Sequence, residues 1–379
     1  MRIRNAKIFD GETFFLGSVE TKGDRILRVT EADLSGVEAF DAGGRYLIPG
    51  LIDLHFHGCR GDDFCDNNAE ALERIARYEA SEGITAMAPA TMTYPVDALC
   101  AILKTAAEYK NTCQDKRGAD LVGINMEGPF ISPVKKGAQD ARNIKPADLS
   151  DAQRFVAASE GLVRFIGLAP EESPDFEAFI RAISQETQVT LAHTNADYET
   201  ARRAFQAGAT HVTHLYNAMP PFHHRQPGVI GAAAENDTVM PELICDGIHI
   251  HPSVVRGTFR LFGDDRVILI SDSMRATGMP DGVYTLGGLD VEVRGRLATL
   301  KEGGAIAGSA TNLMDCVRTA VNAMDIPLTS AIKAATVNPA KSLGIQKDYG
   351  AIKEGKKAHM VLLEEDLALY RVIKDGAFL

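Results

Sequence analysis

Eight short apolar runs alternate with amphipathic stretches along the middle of the chain. They are LIDLHFH (51–57), ITAMAPA (84–90), LVGINME (121–127), VRFIGLAPE (163–171), VTLAHT (189–194), THVTHLYN (210–217), ELICDGIH (242–249) and VILISDS (267–273). Runs of this length and continuity suit a parallel sheet buried on both faces. The stretches between them carry helical periodicity. In 67–83, Leu72, Ile75 and Ala76 fall at i, i+3 and i+4, with Asn67 or Asn68 as N-cap and Gly83 just past the end. Val96, Leu99, Leu103 and Ala106 share one face of 96–109, and a further helix runs from Asp197 to Gly208. Eight strands with intervening helices predict an α/β fold, a (β/α)8 TIM-like barrel over residues 50–344. A doubly wound open sheet is the main alternative, but no strand is followed by GxGxxG.

The two ends have a different rhythm. Residues 1–49 hold strand-like runs broken at Asp10-Gly11, Gly23-Asp24 and Gly43-Gly44, and residues 345–379 repeat that character and finish on an Asp-Gly turn. Both ends are expected to pair into one small β-sandwich domain. Residues 280–305 read as a hairpin insertion after the eighth barrel strand.

Catalytic groups of such a barrel collect at the C-terminal ends of its strands. Those ends carry His55 and His57 after the first strand, Glu127 after the third and His193 after the fifth. His214 follows the sixth, His249 the seventh and Asp272 the eighth. Five of the ten histidines thus occupy positions that make up a small fraction of the chain, which points to a metal. Imidazole and carboxylate without thiolate suit Zn, Fe(II), Mn or Co. The set is large enough for two ions bridged by Glu127; a single ion on Glu127, His193 and His214 fits the spacing equally well. Asp272 is placed to take a proton from a metal-activated water and return it to a leaving group. The competing reading makes it a helix N-cap. His211, three residues before His214, is expected on the opposite face of its strand, among the outer helices. His223 and His224 read as rim residues and His359 as structural. Arg225, on the loop after the sixth strand, has the planar donor fork that suits phosphate or carboxylate, although a loop arginine alone reads as a solvated charge.

Composition narrows the partners. A formal net charge of −11 argues against nucleic acid and anionic membranes. The six cysteines contain no CxxC pair and read as the reduced thiols of a cytoplasmic protein. The N-terminus lacks the apolar core of a signal peptide, and no run is long enough to predict a transmembrane helix.

Taken in order, IPGLIDLHFHG, NMEGPF with KKGAQ, LAHTNA, THLYNAM, DGIH, SDSM and AGSATN closely resemble the N-acetylglucosamine-6-phosphate deacetylases, a family of the amidohydrolase superfamily. ATVNPAKSLG and GAIKEGKKA look like general amidohydrolase signatures, so the resemblance spans essentially the whole chain. The HxH pair fixes only the superfamily. MEGPF with HLYNAM is more specific, because most relatives use a carboxylated lysine where this family has the Glu. The resemblance implies Glu127, His193 and His214 as metal ligands and Asp272 as acid/base. It implies Asn217, Ala218, Arg225, His249 and the backbone of Ile306, Ala307 and Gly308 as holders of the sugar phosphate, with Ala138 a further contact. Members that keep the HxH histidines can hold two ions, so His55 and His57 are implied as part of a second metal site, giving one or two divalent ions per subunit.

There are two departures from the family pattern. Gln139 stands where the family commonly has His, and GKKAHMV replaces the usual GKDADLV. The implied reaction is hydrolysis of the N-acetyl group of a small-molecule phosphosugar, N-acetylglucosamine-6-phosphate, to glucosamine-6-phosphate and acetate, in amino-sugar catabolism and cell-wall recycling. Asp272 would shuttle the proton and His249 would support the oxyanion. In the family the loop carrying Arg225 can serve a neighbouring subunit, so a homodimer is expected. The alternative is a deacetylase of another phosphorylated amino sugar. A dihydroorotase-like amidase would need a lysine after strand four, where GLAPEE stands, and a non-catalytic scaffold would predict missing ligands.

Overall fold

The computed structural model describes residues 1–32, 38–112 and 115–379; Cys113 lies outside the described residues. The eight runs all form strands. Leu51–Asp53 pairs with Ile84–Met87, which pairs with Asp120–Leu121, all in parallel. Ala90–Thr91 and Ile124–Met126 continue the second and third strands. Val163–Leu168, Gln188–Leu191, His211–Val212, Met240–Ile244 and Ile268–Ile270 then follow in parallel series. The ring closes between the eighth and first strands. The Asp272 amide donates to His55 O (3.0 Å), the His57 amide to Ser273 O (2.7 Å) and Ser271 Oγ to Asp53 Oδ2 (2.5 Å). The molecule is a (β/α)8 barrel, not an open sheet.

Helix signals in the sequence hold to within a few residues. Ala69–Ser81 is capped by Asn68, whose side chain accepts from the amides of Glu70 and Ala71. Tyr198–Ala207 is capped by Asp197 on the Thr200 amide and stops at Gly208, where φ is +126°. The third is Val96–Thr112. Their apolar faces, Leu72, Ile75, Leu99 and Leu103 among them, pack on the outward residues of the strands. Ile52, Leu54, Ala86, Phe165, Met240, Ile244, Ile268 and Ile270 form a second apolar cluster with Ala340 and Leu343. Among the described residues no helix is long and apolar enough to cross a membrane.

Both chain ends enter one sheet of eight strands. Tyr46–Pro49 lies between Arg2–Phe9 and Met360–Leu363, with Ile48 opposite Val361 and Leu47 opposite Leu362. The Ile26 amide donates to Lys356 O (2.9 Å) and the Ala358 amide to Asp24 O (2.8 Å). These bonds turn the edge strand Arg25–Thr30 back, so the sheet curls around Ile3, Ile8, Val19, Leu47, Met360 and Leu362. The insertion after the eighth strand is a three-stranded antiparallel sheet of Gly282–Leu286, Leu289–Arg294 and Leu297–Leu300.

Asp120 joins barrel to end sheet. Its carboxylate accepts from Lys357 Nζ (2.6 Å) and Tyr349 Oη (2.6 Å) and pairs with Lys374 Nζ (2.8 Å). Burial alone would raise its pKa, but His359, Lys374 and Lys357 outweigh burial and hold it well below the usual carboxylate range. A depressed folded pKa stabilises the fold above the unfolded value, and that stability is lost as pH falls through the folded one. Asp120→Ala leaves two lysines without their shared anion and is expected to cost about 3 kcal/mol of unfolding free energy in urea titrations at pH 7. The deficit relative to wild type should shrink only in strong acid.

Candidate metal centre

Glu127 is the focus of the strand ends. One carboxylate oxygen, Oε1, lies 2.9 Å from His193 Nε2 and 2.9 Å from His214 Nε2, and the two ring nitrogens are 3.1 Å apart. His193 is oriented from behind by Lys135 O on its Nδ1 (2.8 Å). Gly137, at φ +55°, lies against the same ring: a Cβ there would stand 3.2 Å from His193 Cε1. A second group stands beside the first. His57 Nε2 is 3.2 Å from Asp272 Oδ1 and 3.5 Å from Glu127 Oε2, and His55 Nε2 is 3.6 Å from Glu127 Oε1. His57 Nδ1 faces Ala90 O at 3.3 Å. His193, His214 and Asp272 all take left-handed backbone conformations, with φ of +44°, +29° and +50°. Non-glycine residues pay strain for that conformation, and it recurs where side-chain aim matters more than backbone comfort.

The donor set fits a cation. Glu127, His193 and His214 offer one ligand atom each within 4.8 Å of one another, as do His55, His57 and Asp272, and all six are buried. His55 Nε2 and Asp272 Oδ1 are buried without a well-aligned hydrogen bond. Burial would raise the Glu127 and Asp272 pKa values, but the imidazoles around them outweigh it and hold both below the ordinary range. Burial likewise pulls His55 down, yet Glu242, Glu127 and Asp272 raise it to about 10. The carboxylates therefore demand positive charge, which ring protons or a divalent ion can supply; the two compete for the same nitrogens.

The two groups form the floor of a cavity of about 390 Å³, within the range of small-molecule sites. Ala138, Asn217, Ala218, His249, Ile306 and Gly308 line it, and Ala307 is buried between the last two. His249 is held by Asp246, whose Oδ2 lies 2.8 Å from its Nδ1. Burial lowers the His249 pKa, but the Asp246 hydrogen bond and charge raise it above the ordinary value. No helix begins at Asp272, so the N-cap reading of SDS does not hold. Arg225 is not in this cavity. It lines a separate surface depression with Asn195, Tyr198, Pro220 and Pro227. Its neighbours His223 and His224 are exposed, as expected of a rim.

The sequence reading missed several residues. His211 does not pack among the outer helices. It is fully buried, with Nε2 3.0 Å from Glu242 Oε1 and its ring 4.7 Å from that of Phe165. Strict alternation from His214 fails because the strand ends at Val212 and the chain turns before His214. Glu242 also escaped notice, although a lone carboxylate inside the apolar run MPELIC was the available signal. Gln139 takes a defined place: Nε2 donates to Glu127 Oε2 (2.5 Å) while Oε1 accepts from the Thr93 amide (2.7 Å).

Residues 46–379 match the pattern of the Amidohydrolase family. The N-acetylglucosamine-6-phosphate deacetylase of Bacillus subtilis (strain 168) is 40% identical over 332 residues, covering 87% of this chain and 83% of that protein. The N-acetylgalactosamine-6-phosphate deacetylase of Escherichia coli O157:H7 is 33% identical, covering 93% of this chain and 94% of that protein. Among solved structures, the N-acetyl-D-glucosamine-6-phosphate deacetylase of Mycobacterium smegmatis superposes with a TM-score of 0.94 at 30% identity, over 100% of this chain and 99% of that one. The chain belongs to the amidohydrolase family.

Proposed function

We propose that this protein is a metal-dependent deacetylase that hydrolyses N-acetylglucosamine-6-phosphate to glucosamine-6-phosphate and acetate. The observation that carries the reading is the convergence of Glu127, His193 and His214 with Asp272 and His249 on one small cavity. A divalent ion (Zn, Fe, Mn or Co) held by Glu127, His193 and His214 would polarise the acetamide carbonyl and acidify the attacking water. Asp272 Oδ1 accepts the proton of that water as its oxygen bonds to the carbonyl carbon. The same carboxyl then protonates the amine nitrogen as the C–N bond breaks, so the proton is returned and acetate leaves. His249 in its protonated form, which Asp246 favours, donates to the developing oxyanion. Ala138, Asn217, Ala218 and the backbone of Ile306, Ala307 and Gly308 hold the phosphosugar. His55 and His57, with Asp272, would hold a second ion.

Lys135 is the single Lys or Arg among the described residues that line the cavity, and Arg225 lies outside it. That placement supports a homodimer in which Arg225 reaches the phosphate in a neighbouring subunit's cavity. Cys59, Cys65, Cys100, Cys245 and Cys316 are free thiols, which supports a cytoplasmic address.

Acetate release measured with phosphorylated and unphosphorylated N-acetylglucosamine, and with the galactosamine-6-phosphate isomer, tests the reading. Chelator-sensitive release from N-acetylglucosamine-6-phosphate in preference to the other two is expected. No release from it by metal-containing protein would move the assignment to another amino sugar. Asp272→Asn should lower kcat by on the order of 10³-fold with folding unchanged. Asp246→Asn removes the anion that raises the His249 pKa, so that pKa should fall, as read by NMR titration. Because His249 acts when protonated, the alkaline limb of the kcat profile should then move to lower pH.

A further inference from the structure

Beneath the candidate ligands the barrel interior holds a carboxylate that the proposed chemistry does not use. Glu242, on the seventh strand, is fully buried, and its ion-pair partners among the described residues are His55 and His211. Such a group persists in an interior only when donors satisfy both of its oxygens. Here the two oxygens have different partners. Oε1 accepts from His211 Nε2 (3.0 Å) and Asn125 Nδ2 (3.3 Å). Both donors are fixed elsewhere: Asn125 Nδ2 also reaches Leu54 O (3.2 Å), and the His211 ring packs on Phe165. Oε2 accepts from His55 Nδ1 (2.8 Å) and from the backbone amide of His214 (3.1 Å).

One oxygen is thus anchored to the barrel and the other faces the site, touching one member of each candidate ligand group. An acceptor on Nδ1 places the ring proton there and leaves Nε2 bare for a metal. His57 and His193 get that acceptor from backbone carbonyls, Ala90 O and Lys135 O. His55 gets it from Glu242. The Nδ1 of His214 has no hydrogen-bond partner among the described residues, so its ring is aimed through its backbone, which sits at φ +29° and is tied by its amide to Glu242.

We infer that Glu242 is a positioning residue for both ligand groups, presenting the bare Nε2 of His55 and fixing the turn that aims His214. The inference rests on the metal-dependent reading above. Its test is a titration of the full-length apoprotein with Co(II), followed by calorimetry and by the visible absorption of the bound ion, for wild type and Glu242→Gln. The glutamine amide keeps the shape but sets a donor against His55 or His211. At least one step of Co(II) uptake should weaken by 10-fold or more, with an altered visible spectrum, in protein whose far-UV circular dichroism is unchanged. A titration and spectrum identical to wild type at every step overturn the inference and leave the metal reading standing. Wild-type protein that takes up no Co(II) overturns both. Should Glu242→Gln not fold, ¹⁵N-histidine NMR of the zinc-loaded wild type decides. His55 protonated at Nδ1 and metal-bound at Nε2 is expected; the reverse assignment overturns the proposal.

Discussion

Everything at the barrel mouth follows from one constraint: the carboxylate of Glu127 is buried against imidazole nitrogens. A charge in that position is tolerable only if positive charge or directed donors reach it. The barrel delivers them because parallel strands end on one rim, so residues 66 and 87 positions away arrive within 2.9 Å of the same oxygen. Gln139 supplies an uncharged amide to the other oxygen. That amide keeps a donor on Glu127 without adding a group that could itself titrate.

How much of this could be read in advance depends on whether the pattern was local. Strand order, the five ligand candidates and Asp272 were visible because an apolar run followed by a polar residue marks the end of a buried parallel strand. Caps were visible for the same reason: Asn68 and Asp197 act on amides two or three residues away. Long-range features were hidden. Alternation misplaced His211 because the strand stops at Val212, and period-two reasoning does not survive a left-handed turn. Arg225 carried a family role that one chain does not place in its own cavity. Glu242 depends on donors from three other segments, which no spacing within its own strand reveals.

The supporting polar residues link the site to the apolar interior of the barrel. His211 and Asn125 both bond to Glu242 and the His211 ring packs on Phe165, while Asp53 with Ser271 ties the seam between the first and eighth strands. Buried hydrogen bonds of this kind limit how far the candidate ligand side chains can drift, which short strands of two or three residues could not do by backbone pairing alone.

The seam itself has a consequence for the life of the chain. His55 and His57 stand on one side of it and Asp272 on the other, and their own backbone groups form the bonds that shut the ring. The last barrel strand in chain order, Ile268–Ile270, is therefore also the one that brings Asp272 to the histidines. Without it the curl is incomplete, and the candidate ligands of the earlier strands have no Asp272 opposite them. A chain in which this seam is open separates His57 from Asp272, so barrel and candidate site are completed by the same contact.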